Sequence, residues 1–140
     1  MRILGIDYGD VRTGIAITDP LGITAQGLKT INNQNSDKIL LKEIEEIVNE
    51  YGVEKFVIGM PLNLKGEKTV RAEKTEKFIH KLRCKFGKIP VEIIDERLTT
   101  VQAQKTMNYL EVNKKDKKNI VDTIAAVYIL ETYLGKENKK

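Results

Sequence analysis

Three acidic residues in this chain stand where acids are costly. The stretch LGIDYGDVRTGIAITD, Leu4 to Asp19, reads as buried strand yet places a carboxylate at Asp7, two residues before Gly9. A second acid, Glu96, lies in Asp95-Glu96-Arg97, directly after the apolar run Val91 to Ile94. The third, Asp122, falls on a helical wheel between Ala125, Ile129, Tyr133 and Ala126, within an apolar, small-residue face. A buried, ionised carboxylate costs several kcal/mol unless it is paired, hydrogen-bonded or bound to a metal. Two carboxylates about 4 Å apart repel by about 4 kcal/mol at an effective dielectric of about 20, so three that converge either take up protons or bind a cation. Oxygen donors of this kind suit Mg²⁺ or Mn²⁺, held by one or two carboxylates with substrate phosphate and water completing the shell. One or two such ions activate water and clamp the attacking and leaving oxygens of a phosphodiester.

Each acid also has a plainer reading. Asp7 can hydrogen-bond to turn amides in the Gly9-Asp10 hairpin, and Asp122 can be the N3 acid of a helix capped by Asn119 and favoured by the helix dipole. Asp95 and Glu96 can decorate a solvated loop. Asp10 and Asp19 read as turn residues. His80 lies on a charged helix face and has no second His or Cys partner, which argues against a metal role.

The elements that must position these acids can be read from periodicity. Ile3 to Tyr8, Thr13 to Thr18 and Ile23 to Ile31 read as three short-linked strands in an antiparallel meander. Asp19-Pro20-Leu21-Gly22 suits a type I turn between the last two. Leu40, Leu41, Ile44, Ile47, Val48 and Tyr51 then recur at helical spacing, with Ser36 as N-cap and Gly52 as the stop. A short apolar strand, Lys55 to Gly59, precedes a helix carrying Phe78, Ile79, Leu82 and Phe86, and Val91 to Ile94 is a further strand. Thr99 and Gln102 read as a capping box opening a short helix, and a last helix runs roughly from Asn119 to Leu134. Strands alternating with helices call for parallel pairing by right-handed crossovers. The expectation is therefore a mixed α/β sheet, its antiparallel start joined to parallel strands, with helices on its faces. If the first strand lies between the two parts, Asp7, Gly59 and Glu96 open onto one edge, where ligands of open α/β sheets gather.

With 140 residues the chain fits one domain, residues 1–135, and Lys136 to Lys140 read as a frayed, disordered basic tail. The 24 Lys and Arg exceed the 20 Asp and Glu, for a net charge of +4, a modest bias that suits a polyanionic partner. Cys84 is the only cysteine, so neither an internal disulfide nor a cysteine zinc cage is possible, and a reducing compartment is the simpler expectation. No run approaches the roughly 18 apolar residues of a membrane span, and MRILGID has no signal-peptide pattern. A soluble, cytoplasmic protein without a membrane partner is expected, as a monomer or homodimer.

Four segments in order resemble the YqgF family of pre-16S rRNA-processing nucleases, also described as Holliday junction resolvase-like, within the ribonuclease H-like superfamily. They are Leu4-Gly5-Ile6-Asp7-Tyr8-Gly9 with Arg12, Gly14, Ala16 and Asp19; Ile58-Gly59-Met60-Pro61-Leu62 with Gly66; Asp95-Glu96-Arg97-Leu98-Thr99-Thr100; and Asp122 with Ala125-Ala126 and Leu130. The resemblance implies a ribonuclease H-like fold, a five-stranded sheet of order 3-2-1-4-5 with the second strand antiparallel. It further implies hydrolysis dependent on Mg²⁺ or Mn²⁺, with Asp7, Glu96 and Asp122 as catalytic and metal-binding acids, and maturation of a ribosomal RNA precursor. Related junction resolvases carry an acid at the end of the fourth strand and two acids on the last helix. Here the strand ends in Gly59-Met60-Pro61 and Asp122 is alone, so Glu96 is expected to replace the missing acid from the neighbouring strand.

Arg12 and Arg97 are candidates for phosphate contact, because a guanidinium fork matches phosphate oxygens and stays charged; ion pairs with Asp19 or Asp95 are the alternative. Lys65, in the Pro61 to Lys68 loop, and the cluster Lys114, Lys115, Lys117 and Lys118 are candidates to border nucleic acid. Two other functions compete with a nuclease acting on ribosomal RNA or branched DNA. Gly-Ile-Asp-x-Gly also opens the phosphate hairpin of actin-like ATP-binding folds, but those clamp nucleotide between two lobes and this chain has length for one. A non-catalytic ribosomal RNA-binding module would bind in a salt-sensitive manner and survive neutralisation of the acids.

Overall fold

The computed structural model describes residues 1–63, 65–96 and 114–138, with side chains in the last helix from 123 to 137. The strands are β1 (Arg2–Asp7), β2 (Arg12–Thr18), β3 (Ala25–Asn32), β4 (Val53–Met60) and β5 (Val91–Asp95); the helices are α1 (Asp37–Tyr51), α2 (Val70–Lys85) and α3 (Lys114–Asn138). One five-stranded sheet has the order β3-β2-β1-β4-β5. The β1–β2 and β2–β3 pairs are antiparallel, whereas β1–β4 and β4–β5 are parallel. β1 is therefore central, with its carboxyl end beside those of β4 and β5.

Period-two alternation along β1 sorts its side chains between two cores. Leu4, Ile6 and Tyr8 pack with Leu40, Ile44 and Ile47 of α1 and with Phe78, Ile79 and Leu82 of α2. Ile3 joins Val57, Ile94, Ala126, Ile129, Leu130 and Tyr133 in the other cluster, formed on the α3 face. Asp7 has the parity of Ile3 and so belongs to the α3 face. Two ties fix α3 across the sheet: the Thr30 and Thr123 hydroxyls are 3.2 Å apart, and Lys55 Nζ donates to the Tyr133 hydroxyl at 2.6 Å. Thr30 pairs with Gly14, and Gly14 with Asp7, so the first of these ties lies level with Asp7 two strands away.

The caps follow the sequence. The Ser36 hydroxyl accepts from the Ile39 amide at 3.2 Å, and Gly52, in the left-handed conformation, closes α1. At the Asp19 turn the Gly22 amide donates to the Asp19 carbonyl at 2.9 Å. The Asp19 carboxylate also accepts from the Ile23 and Thr24 amides, each at 2.7 Å, so β3 starts at Ala25 rather than Ile23. Those amides, Thr24 foremost, hold the exposed Asp19 carboxyl below the usual carboxylate range. Asp19 is thus a turn residue.

Several expectations need correction. α2 starts at Val70, capped by the Thr69 hydroxyl, which accepts from the Ala72 amide at 3.2 Å; its first turns are too polar to display a helical stripe. α3 starts at Lys114 rather than Asn119, which puts Asp122 in the third turn and removes its reading as an N3 acid under the helix dipole. The same helix continues to Asn138, through most of the expected tail, because Leu134 still packs against the core and the following Lys136 and Glu137 are good helix formers. Lys139 and Lys140 lie outside the described residues, as do Arg97, Thr99 and Gln102. His80 does have a partner, since its Nε2 is 3.6 Å from Cys84 Sγ one turn along α2. Among the described residues no helix is long and apolar enough to cross a membrane.

Candidate active site

Asp7 closes β1 with 9% of its surface exposed, and Glu96, the residue after β5, retains 8%. This burial disposes of the solvated-loop reading for Glu96. Between them runs β4. Ile6 pairs with Ile58 in parallel register, which sets Gly59 beside Asp7, and Gly59 pairs with Ile94. Gly59 has the parity of Val57 and so also faces α3. A Cβ placed on Gly59 would stand 3.1 Å from Glu96 Cγ and 3.3 Å from its carboxyl carbon. The Glu96 side chain thus lies back across the end of β4, over the space that a side chain at position 59 would fill. Gly59, one residue before the end of β4, leaves open the space that the Glu96 carboxylate occupies from the neighbouring strand.

α3 completes this face. Ile129 Cδ1 would be 2.7 Å from the same Gly59 Cβ, so the helix bears directly on the strand end. Position 122 precedes Ala126 by one helical turn; its side chain lies outside the described residues. Among the described residues no group of three His, Cys, Asp or Glu gathers to hold a metal. The two described acids nevertheless fit a hard divalent cation, which needs only one or two carboxylates when waters and phosphate oxygens supply the remaining ligands.

The hairpin following Asp7 is held from both sides. Arg12 opens β2 opposite Asn32 of β3 and is half-buried. Arg71, at the start of α2, donates to the Tyr8 carbonyl at 3.4 Å, and Lys74 is 3.3 Å from the Asp10 carboxylate, so α2 presents cations over this hairpin. Neither was singled out from sequence, because both sit in the polar opening turns of α2. Lys65 is exposed in the loop after β4, whose Asn63 carboxamide accepts from the Lys65 and Glu67 amides at 3.0 and 2.9 Å. Arg97, the other expected phosphate contact, lies outside the described residues.

Tyr8 anchors the end of β1 in the opposite core. Its hydroxyl donates to Asp37 at 2.6 Å, its ring stacks on Phe78 with centroids 4.6 Å apart, and Lys81 pairs with the second Asp37 oxygen at 3.1 Å. Burial, and then the Asp37 carboxylate, push the phenol well above its ordinary value. A pKa raised on folding gives stability that is complete below the unfolded value, about 10, and drains away as pH climbs toward the folded one. Tyr8→Phe should therefore cost about 1–2 kcal/mol at neutral pH, and should flatten the fall in stability above about pH 10 that urea denaturation of the wild type is expected to show.

The RuvX family, described as Holliday junction resolvase, matches residues 1–136. A Ruminiclostridium cellulolyticum protein named "Putative pre-16S rRNA nuclease" is 51% identical over 142 residues, which span 100% of this chain and 99% of its own. A protein of the same name from Acetivibrio thermocellus is 51% identical over 139 residues, 99% of each chain. Among solved structures, Thermus thermophilus RuvC in complex with Holliday junction substrate aligns with TM-score 0.60 at 12% identity, covering 96% of both chains. The Fowlpox virus resolvase bound to Holliday junction DNA gives 0.61 at 14% identity, covering 98% of this chain and 99% of its own. At such identities the likeness concerns the fold, and the expected ribonuclease H-like topology is the one observed. The chain belongs to the RuvX family of resolvase-type nucleases.

Proposed function

We propose that this protein is a divalent-metal-dependent endonuclease that cleaves phosphodiester bonds at the immature end of the 16S ribosomal RNA precursor, in the cytoplasm. The observation that carries the site is the Glu96 carboxyl carbon lying 3.3 Å from the missing Gly59 Cβ, beside Asp7 on the α3 face. Asp7 and Glu96, with Asp122 from α3, would hold Mg²⁺ or Mn²⁺. When bound, the metal supplies charge neutralisation at the phosphate and a more acidic water. The chain's own part is to fix the acids on three elements, keep Asp7 and Glu96 nine-tenths buried so that their charge is little screened, and offer cations to the backbone. Arg12, Arg97 and Lys65 are assigned to phosphate contact, each neutralising one charge without reading bases. The substrate follows the names of relatives that are 51% identical over nearly the whole chain.

Resolution of branched DNA is the second reading, favoured by the family description. The test offers a precursor 16S rRNA fragment and a four-way DNA junction side by side, with Mg²⁺, with Mn²⁺ and with EDTA. Site-specific cutting of the RNA that stops in EDTA is expected. Cutting of the junction alone would transfer the assignment to DNA, and binding of RNA without cutting at any metal concentration would leave a non-catalytic module.

A further inference from the structure

The connection between β3 and α1 carries a polar run, Asn32 to Ser36, whose second residue is fully buried. Asn33 exposes none of its surface, and each polar group of its side chain is engaged with the hairpin that follows Asp7. Its Nδ2 donates to the Gly9 and Asp10 carbonyls, both at 3.0 Å, while its Oδ1 accepts from the Thr13 hydroxyl at 3.1 Å. The main chain adds three more bonds. The Asn33 and Gln34 amides donate to the Val11 carbonyl at 2.8 and 3.1 Å, and the Asn35 amide donates to the Asp10 carbonyl at 2.7 Å. Gln34 and Asn35 adopt φ of 49° and 61°, left-handed values that turn successive amides toward the hairpin. The hairpin is also tight: a Cβ on Gly9 would overlap the Arg12 carbonyl oxygen.

These contacts converge on residues 9–13, and that segment joins the proposed acid Asp7 to the proposed phosphate contact Arg12. We infer that Asn33 is a positioning residue, which sets the placement of Asp7 and Arg12 relative to each other through the Gly9, Asp10 and Thr13 contacts. A loop fastened only by its own turn would not need a buried carboxamide from another connection, yet here the donors exceed what hairpin closure requires. The inference rests on the nuclease reading above.

Asn33→Asp keeps the shape and the acceptor but turns an anionic oxygen toward two carbonyl oxygens; Thr13→Val removes the donor to Oδ1 together with the bond that the hydroxyl accepts from the Gly9 amide at 3.3 Å. Turnover on the precursor RNA, per folded molecule and at a temperature well below melting, should fall about 10- to 100-fold for Asn33→Asp, with KM within about twofold. Thr13→Val should fall about three- to fivefold in the same manner. Amide hydrogen exchange gives a readout independent of cleavage. The Asn33, Gln34 and Asn35 amides should exchange at least about tenfold faster in Asn33→Asp, while Val57 and Ile58 in the core keep wild-type protection. Unchanged turnover per folded molecule in both variants, whatever the exchange rates, would reduce Asn33 to a structural staple and overturn the inference alone. A wild-type protein that cuts neither RNA nor junction would remove the nuclease reading, and this inference with it.

Discussion

Asp7→Asn is expected to fold and to lose about 10³-fold in metal-dependent turnover. The amide is isosteric, so the end of β1 keeps its shape, but it removes one anionic ligand from the metal site proposed for Asp7, Glu96 and Asp122. A loss of about 4 kcal/mol in transition-state stabilisation corresponds to that factor, and several kcal/mol is what a positioned cation contributes at a phosphoryl centre. Melting curves give a second view. At a metal concentration about 100 times Kd, wild-type protein gains about 2.7 kcal/mol, or roughly 8–10 °C for a chain of this size. The Asp7→Asn protein should shift by less than about 2 °C. Equal cutting by the two proteins would trace the activity to a contaminant.

Gly59→Ala is the second large effect, and it acts through Glu96. The added methyl would lie 2.7 Å from Ile129 Cδ1 and 3.1 Å from Glu96 Cγ. Ile129 is fully buried and has little room to retreat, so the Glu96 side chain must yield. Overpacking of this kind costs about 1–3 kcal/mol. A displaced carboxylate at a reacting centre costs about 10- to 100-fold in turnover, with substrate affinity largely kept. Kinetics and denaturation on the same preparation separate the two contributions. A variant destabilised as expected but with wild-type turnover would take Glu96 out of the site.

Much of this architecture is legible in the residues. Alternation in Ile3 to Tyr8 and Thr13 to Thr18, the Asp19 to Gly22 turn, and the Ser36 and Gly52 signals mark elements that local physics decides. Where local signals were weak, boundaries moved. The opening turns of α2, Val70 to Lys77, and those of α3, Lys114 to Asn119, are polar, so no apolar stripe announces them. That shortfall also hid Arg71 and Lys74, and it left Asp122 with a capping role that the longer helix removes. Periodicity leaves His80 without a Cys partner, although a spacing of four on a helix brings it to Cys84.

The candidate site was legible only in outline. Apolar context marked Asp7, but the reach of Glu96 across Gly59 depends on the parallel register of β4 and β5. Asn33 was invisible for a related reason. It stands in a run of polar residues that reads as an ordinary loop, and only the approach of β3 to the β1–β2 hairpin gives its carboxamide three partners.

The central claim is that Asp7 and Glu96 share one cation at the carboxyl ends of β1 and β5, with Asp122 closing the set from α3. Anomalous diffraction from crystals soaked in Mn²⁺ tests it most directly. The account predicts a peak within about 2.1–2.3 Å of a carboxylate oxygen from both Asp7 and Glu96. A fully loaded crystal whose manganese lies elsewhere, with these two carboxylates engaged only by protein groups, would contradict it.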